Sequence, residues 1–432
     1  MLNAAPGEAM RVLAHAEAGD TVLLASGIHR GPLKILRTLT LRGARGAVVD
    51  GGQAGSAIEV FAPRVVVENL AVRGSGRDVM NVDAGVHVAS APDVVLRRLA
   101  LDDVLYGIYG ERAHRLRVED CRLRGRVTPR QETGDGNGIH LWYCDSVRVM
   151  GCEGQRFLDC IYLSFTGNAL IRGDRLFDCG RYGLHTMYCQ GTHLIGNTFT
   201  RNVAGCAIMF SNHLLIEGND FVHNRGSRTY GLLLRDCSDG TFADNRMIDN
   251  TIAVFMDNSN RNRFHSNLVE DNGWGLLLFS SCADNQFAGN NFIQNDYPVA
   301  LDMKYTRNRF DDGETGNYWS ENAPYDLNGD AVSDVPFTPV SAFAFVSKQY
   351  PDLTVLAKSP AVAALGVAER VFPSLRPSEA VDHFPRVAPV PTRAAGASAA
   401  SVPPARPAWA AFAGFVLLSG LGVLGIATAR RT

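Results

Sequence analysis

The chain repeats itself. The pattern Asn-x-apolar-x-x-Asn recurs at Asn197/Phe199/Asn202, Asn219/Phe221/Asn224, Asn245/Met247/Asn250, Asn267/Val269/Asn272 and Asn290/Phe292/Asn295. Successive first asparagines are 22, 26, 22 and 23 residues apart. Upstream the pattern decays to Asp174/Leu176/Cys179 and Gln155/Phe157/Cys160. A second element keeps pace with it, a small residue followed by a short alternating run, at Gly85, Gly107, Gly138, Cys160, Gly183, Gly231, Ala253 and Gly275. Each run is too short for a helix and is bounded by turn-forming residues. The expectation is an all-β, right-handed parallel β-helix with coils of about 22 residues, in which each coil buries its apolar face only against its neighbours. The L-x-x-L-x-L spacing of a leucine-rich repeat is absent. Equivalent positions then stack about 4.8 Å apart, and the asparagines should form ladders that bond the coils above and below.

Counting from the small residue, the next position is aliphatic: Ile58, Val86, Ile108, Ile139, Ile161, Leu184, Leu232, Val254 and Leu276. Strand side chains alternate, so these face the core and the +2 and +4 positions face out. The +2 column reads Glu59, His87, Tyr109, His140, Tyr162, His185; the +4 column includes Trp142, Ser164, Met187 and Met209.

The ends organise the rest. The β-helix should occupy 1–345, with "GNYWSENAPYDLNGDAVSDVPF" (316–337) as a cap whose Tyr318, Trp319, Tyr325 and Phe337 plug the open end. A post-cap segment, 346–384, leads to a Pro/Ala-rich flexible linker, 385–407. Residues 408–429, "AWAAFAGFVLLSGLGVLGIATA", are uncharged and followed by Arg430 and Arg431. As a helix this stretch is about 33 Å long, enough to cross a bilayer. The terminal arginines would stay cytoplasmic, which puts the β-helix on the far side. No basic and then apolar leader opens the sequence, so the expectation is a true start upstream of Met1, with an export signal. The formal net charge of −2 lacks the basic excess of a nucleic-acid binder.

"GDTVLLASGIHRGPLKILRTLTLRG" (19–43) and the closing segment 316–337, with the repeats between them, resemble the NosD family of periplasmic β-helix accessory proteins of nitrous oxide reductase maturation. The resemblance covers about Leu2 to Phe345. It implies a non-enzymatic role beside an ABC transporter and a membrane-anchored copper chaperone, in assembling the copper–sulfur centre of nitrous oxide reductase. The alternative is a carbohydrate-active β-helix: a lyase, hydrolase or epimerase. That chemistry needs close carboxylates. The outward stripe offers Glu59, with Asp135 and Asp145 in nearby loops.

Four outward residues are the candidate copper ligands: His140, His185, Met187 and Met209. Imidazole suits either copper state and thioether selects Cu(I); a partner-docking surface or a merely decorated sheet explains the same stripe. Cys144, Cys189, Cys237 and Cys282 form a column that reads as buried corner packing or as a thiolate path. Cys160 and Cys179, expected at one turn position in neighbouring coils, are near enough for a disulfide, and at least one of the nine cysteines is free in a monomer. Asp326, Asn328, Asp330 and Asp334 have the spacing of a calcium loop but lack a closing glutamate, Phe337 standing there instead. Asx-turns account for them equally.

Overall fold

The computed structural model describes residues 1–127, 136–349, 353, 356, 359–372 and 380–392. Its strands form three parallel sheets of 13, 12 and 13 strands, each strand pairing with its equivalent one coil away. One coil contains Tyr182–Met187, His193–Ile195 and Thr198–Thr200, and the next repeats it with Ala204–Met209, Leu215–Glu217 and Asp220–Val222. Alternation sets the burial. Leu184, Leu194 and Phe199 point inward and are fully buried, as are Cys206, Ile216 and Phe221 beneath them. Inside, the same residue types stack: Phe199 on Phe221 at 5.0 Å, and Phe242, Phe264, Phe287 and Phe310 in a file.

The asparagines make the expected ladders. In the first, the backbone N–H of each of Asn197, Asn219, Asn245, Asn267 and Asn290 donates to the Oδ1 of the next, ending at Asn317. Each Nδ2 also donates to a carbonyl of the coil above, as Asn245 does to Ile216 at 2.7 Å. The second ladder runs through Asn202, Asn224, Asn250, Asn272 and Asn295. A third, Asn262–Asn285–Asn308, was not anticipated from the repeat pattern.

Upstream, the frame differs from the sequence expectation. The first ladder continues to Asp174 and Cys152, and Leu176 pairs with Gly154, not Phe157. Gln155/Phe157/Cys160 is therefore out of register with Asp174/Leu176/Cys179. Cys160 and Cys179 do form a disulfide, with Cα atoms 6.2 Å apart. They do not share a turn position. Cys160 is in the strand Asp159–Ser164, whereas Cys179 lies on the second asparagine ladder.

At the first end, the strand Leu2–Ala4 and the helix Ala9–His15 close the barrel, with Ala9 and Leu13 buried. At the other, Tyr318–Trp319 pairs with Asn291–Ile293, and Trp319 stacks on Phe292 at 4.3 Å with Phe337 beside it. Tyr325, expected in this plug, is 59% exposed and covers nothing. Its place is taken by a returning segment. Asp382 bridges to Phe337, and Arg386 to Val332 and Tyr318. The Asp382 carboxylate accepts hydrogen bonds from the Asn317 N–H and the Trp319 indole, closing the ladder. The helices Ala342–Gln349 and Pro360–Val371 lie near the last coils, with Phe343 stacked on Tyr297. No described helix is long and apolar enough to cross a membrane; 408–429 lies outside the described residues.

Candidate functional site

The two outward columns keep the register read from the sequence. Glu59, His87, Tyr109, His140, Tyr162 and His185 are successive partners, and so are Trp142, Ser164, Met187 and Met209. The rings of the first column form one chain: His87–Tyr109 at 5.5 Å, Tyr109–His140 at 4.8 Å, His140–Tyr162 at 4.6 Å and Tyr162–His185 at 4.7 Å. Tyr106 and Tyr182 pack against it edge-on. Tilted and edge-to-face contacts of this kind each contribute about 0.5–1.5 kcal/mol.

This packing changes the meaning of "outward". His185 is only 6% exposed, because neighbouring rings cover it. Nor do the two candidate histidines converge. Tyr162 stands between them, and two coil rises separate them by about 10 Å. His140 faces the Asn137 amide at 3.3 Å. Burial pushes its pKa down to about 4, the nearby Asp159 charge opposing and His185 adding to the shift.

His185 has a different environment. Its Nδ1 lies 3.1 Å from Oδ2 of Asp159, a buried carboxylate that Arg181 grips with two N–H groups, at 2.9 and 2.6 Å. Burial alone would raise the Asp159 pKa; the hydrogen bonds from His185 and Arg181, with the arginine charge, hold it below the ordinary carboxylate value. The other nitrogen, Nε2, is buried and has no hydrogen-bond partner. The next residue down the column is Ala207, which offers no polar group. Met187 is two positions along the same strand, on the same face, and Met209 is its register partner. Both are half-buried, and the Tyr162 hydroxyl lies 3.4 Å from the Met187 sulfur. One imidazole and two thioethers therefore share one face of two neighbouring strands, while His140 lies two coils before His185. Among the described residues no three His, Cys, Asp or Glu side chains are grouped to hold a metal ion.

Sequence reasoning missed a column beside the methionines. Tyr143, Phe165, Tyr188 and Phe210 stack nearly parallel at 4.7, 5.0 and 4.8 Å. All four have left-handed backbone, φ 49–57°, a region costly for bulky side chains. The first three are between 41% and 46% exposed. Their 22, 23 and 22-residue spacing was a legible signal. Asp159 was missed too, since a single aspartate at a strand start carries no pattern.

The cysteine column is a buried corner. Cys144, Cys189, Cys237 and Cys282 alternate with Thr166, Ser211 and Ser259, and the N–H groups of Cys189 and Cys237 donate to the serine below. Burial pushes the Cys144 and Cys189 thiols up to about 11 and Cys237 to about 12. Thiols held protonated suit packing, not a thiolate path. In the loop within the cap segment, Asp326 accepts from the N–H groups of Gly329 and Ala331, Asp330 from Val332, and Asp334 from Leu327. Asn328 accepts from the N–H of Asp330. The Asn328 and Asp330 contacts are Asx-turns, and all of them tie the side-chain oxygens to the backbone of the loop itself, so calcium is not supported.

The three stacked parallel sheets define an all-β protein of the right-handed parallel β-solenoid class. The A-module of the mannuronan C-5 epimerase AlgE6 of Azotobacter vinelandii superposes with a TM-score of 0.56 at 16% identity, covering 68% of this chain and 90% of the epimerase chain. The surface protein and adhesin PfbA of Streptococcus pneumoniae does so at 0.52 and 10%, covering 68% and 94%. At such identities the likeness speaks for the fold alone. The sequence comparisons are narrower. Residues 123–323 match the family described as "Periplasmic copper-binding protein (NosD)". The "Probable ABC transporter binding protein NosD" of Pseudomonas aeruginosa is 30% identical over 377 residues, 84% of this chain and 87% of that protein. Its Stutzerimonas stutzeri namesake is 26% identical over 378 residues, 84% and 85%. The chain belongs to the NosD family.

Proposed function

We propose that the chain is a non-enzymatic accessory protein that handles copper outside the cytoplasm, for assembly of the copper–sulfur centre of nitrous oxide reductase. Its partners in this reading are an ABC transporter, a membrane-anchored copper chaperone and the reductase. Residues 408–429 would anchor it to the inner membrane. Membership in a periplasmic copper-binding family supports the reading. The observation on which it rests most is the buried, unpartnered Nε2 of His185 beside two methionines. An orphaned buried acceptor costs about 1–3 kcal/mol, a cost that a soft cation would remove.

The carbohydrate reading lacks a comparable feature. Glu59 is ion-paired with Lys34 and Glu111 with Arg112, and Asp145 accepts from Ser146 and Asn168. Asp135 lies outside the described residues. Cells carrying a deletion of this chain should export the reductase with its catalytic copper centre depleted and its electron-entry copper site filled. A fully loaded reductase in the deletion strain would sink the proposal.

A further inference from the structure

The four candidate copper ligands are not equivalent. His140 packs its ring against Tyr106, Tyr109 and Tyr162, and its Nδ1 faces the Asn137 amide, not a carboxylate. His185 has one nitrogen fixed and one left over. An ionised carboxylate can only accept. Asp159 therefore puts the proton of this hydrogen bond on Nδ1 of His185, and Nε2 is the nitrogen that has no partner. Arg181 in turn fixes the Asp159 carboxylate with two hydrogen bonds and cannot itself be deprotonated. A carboxylate that holds the far nitrogen of an imidazole is the usual device for orienting a metal-ligating histidine. Here it is built into the start of the preceding strand, Asp159–Ser164, whose other members Tyr162 and Ser164 flank His185 and Met187.

Resting on the copper reading above, we propose that Cu(I) is held by Nε2 of His185 and the thioethers of Met187 and Met209, with Asp159 and Arg181 as positioning residues and His140 outside the ligand set. Three soft or borderline ligands with no carboxylate among them suit Cu(I) and disfavour hard cations. A thioether has a second lone pair, so the Tyr162 hydroxyl near Met187 does not block coordination and helps aim the sulfur. Few ligands and a partly exposed pair of methionines leave the ion open to transfer.

The test uses the full chain under reducing conditions, with a colorimetric Cu(I) chelator as competitor. His140→Phe keeps a ring in the stack and should change Cu(I) affinity by less than about twofold. His185→Gln and the Met187→Leu/Met209→Leu double change should each weaken it by at least about tenfold. Asp159→Asn should weaken it by about 10–100-fold, with partial recovery in Asp159→Glu. The decisive readout on the parent chain needs no metal and no variant. Nitrogen-15 NMR of the imidazole should show His185 protonated on Nδ1 and bare on Nε2. A proton on Nε2 with Nδ1 bare overturns the assignment. So does a parent chain that binds Cu(I) while His185→Gln and the double methionine variant bind it equally well, which leaves the copper reading standing. A parent chain with no measurable Cu(I) binding overturns both.

Discussion

Two halves of the solenoid divide the work differently. From Asn197 to Asn317 the inner corner is an unbroken file of asparagines, and the outer column beyond His185 reads Ala207, Leu233, Phe255, Leu277 and Ala300. From Ala84 to Met209 the outer face carries the histidines, tyrosines, methionines and stacked corner aromatics. There the corner file has decayed to Cys152 and Asp174. Regular interior goes with bland exterior, and the reverse. The lesson is that the repeat secures stability, while the proposed ligands lie where the regular file begins, in the coils of Asn197 and Asn219. That division can be broken by mutation.

The largest effect is expected inside the regular half. Asn245 accepts from the Asn219 N–H and donates to the Ile216 carbonyl and to Asn267. Asn245→Ala orphans several buried groups at once. We expect a loss of about 3 kcal/mol in urea unfolding, at about 1–3 kcal/mol per unsatisfied group with partial relaxation. A loss under about 1 kcal/mol would mean that the ladder is ornament and that the comparison has no energetic basis.

The opposite sign is expected where the file decays. Asp174 accepts from the Cys152 N–H through Oδ1, but its Oδ2 is buried without a partner. Burial pushes its pKa up to about 8, against the pull of backbone hydrogen bonds from Cys152 and Arg172. A carboxyl that holds its proton more tightly folded than unfolded stabilises the fold below the ordinary carboxylate pKa. That contribution is lost as pH rises through about 8. Asp174→Asn restores the ladder residue, with an amide that can donate as those of the other rungs do. It should raise stability by about 1–2 kcal/mol at neutral pH and flatten the pH dependence, measured by urea melts from mildly acidic to mildly alkaline buffer. An unchanged pH profile would detach Asp174 from the file.

At the closed end, Asp382→Ala removes the acceptor for the Asn317 N–H and the Trp319 indole. A loss of about 1–3 kcal/mol in thermal or urea unfolding is expected. No change would mean that the returning segment is a passenger, and that 316–337 caps the coil unaided.

These contrasts also explain what was legible. The fold was, because buried asparagine at a fixed period has few uses outside a ladder, and because the strand columns kept their register from Glu59 to Met209. Phe157 misled, since in the decayed half apolar spacing alone sets the frame and a phenylalanine three residues off fits equally well. The third ladder at Asn262 was hidden by its three rungs. The return of Asp382 was hidden because a single carboxylate 65 residues beyond Asn317 repeats nothing and so leaves no pattern. Of the site, residue types and columns were readable, but selection among them was not. His140 and His185 look alike in sequence; only the partner of Nδ1, set by a carboxylate 26 residues before His185, tells them apart.

The smallest effect is expected at the corner aromatics, and its smallness is informative. Tyr188 has left-handed backbone, φ 57°, which asparagine and glycine adopt more readily. It stacks on Phe165 and Phe210, contacts worth about 0.5–1.5 kcal/mol each when well packed and less at an exposed edge. Two coils on, Asp236 occupies the same corner and then Asn258, both left-handed. Tyr188→Asn therefore trades exposed stacking for an easier backbone, and the stability change should stay within about 0.5 kcal/mol. If so, stability does not explain why four successive corners beside Met187 and Met209 are aromatic, while the corners of the bland half are Asp and Asn. Surface contact with whatever approaches the methionines would then account for the aromatic corners. A loss above about 1.5 kcal/mol would make the stack a structural strut, and the outer face of the two halves would differ less than their sequences do.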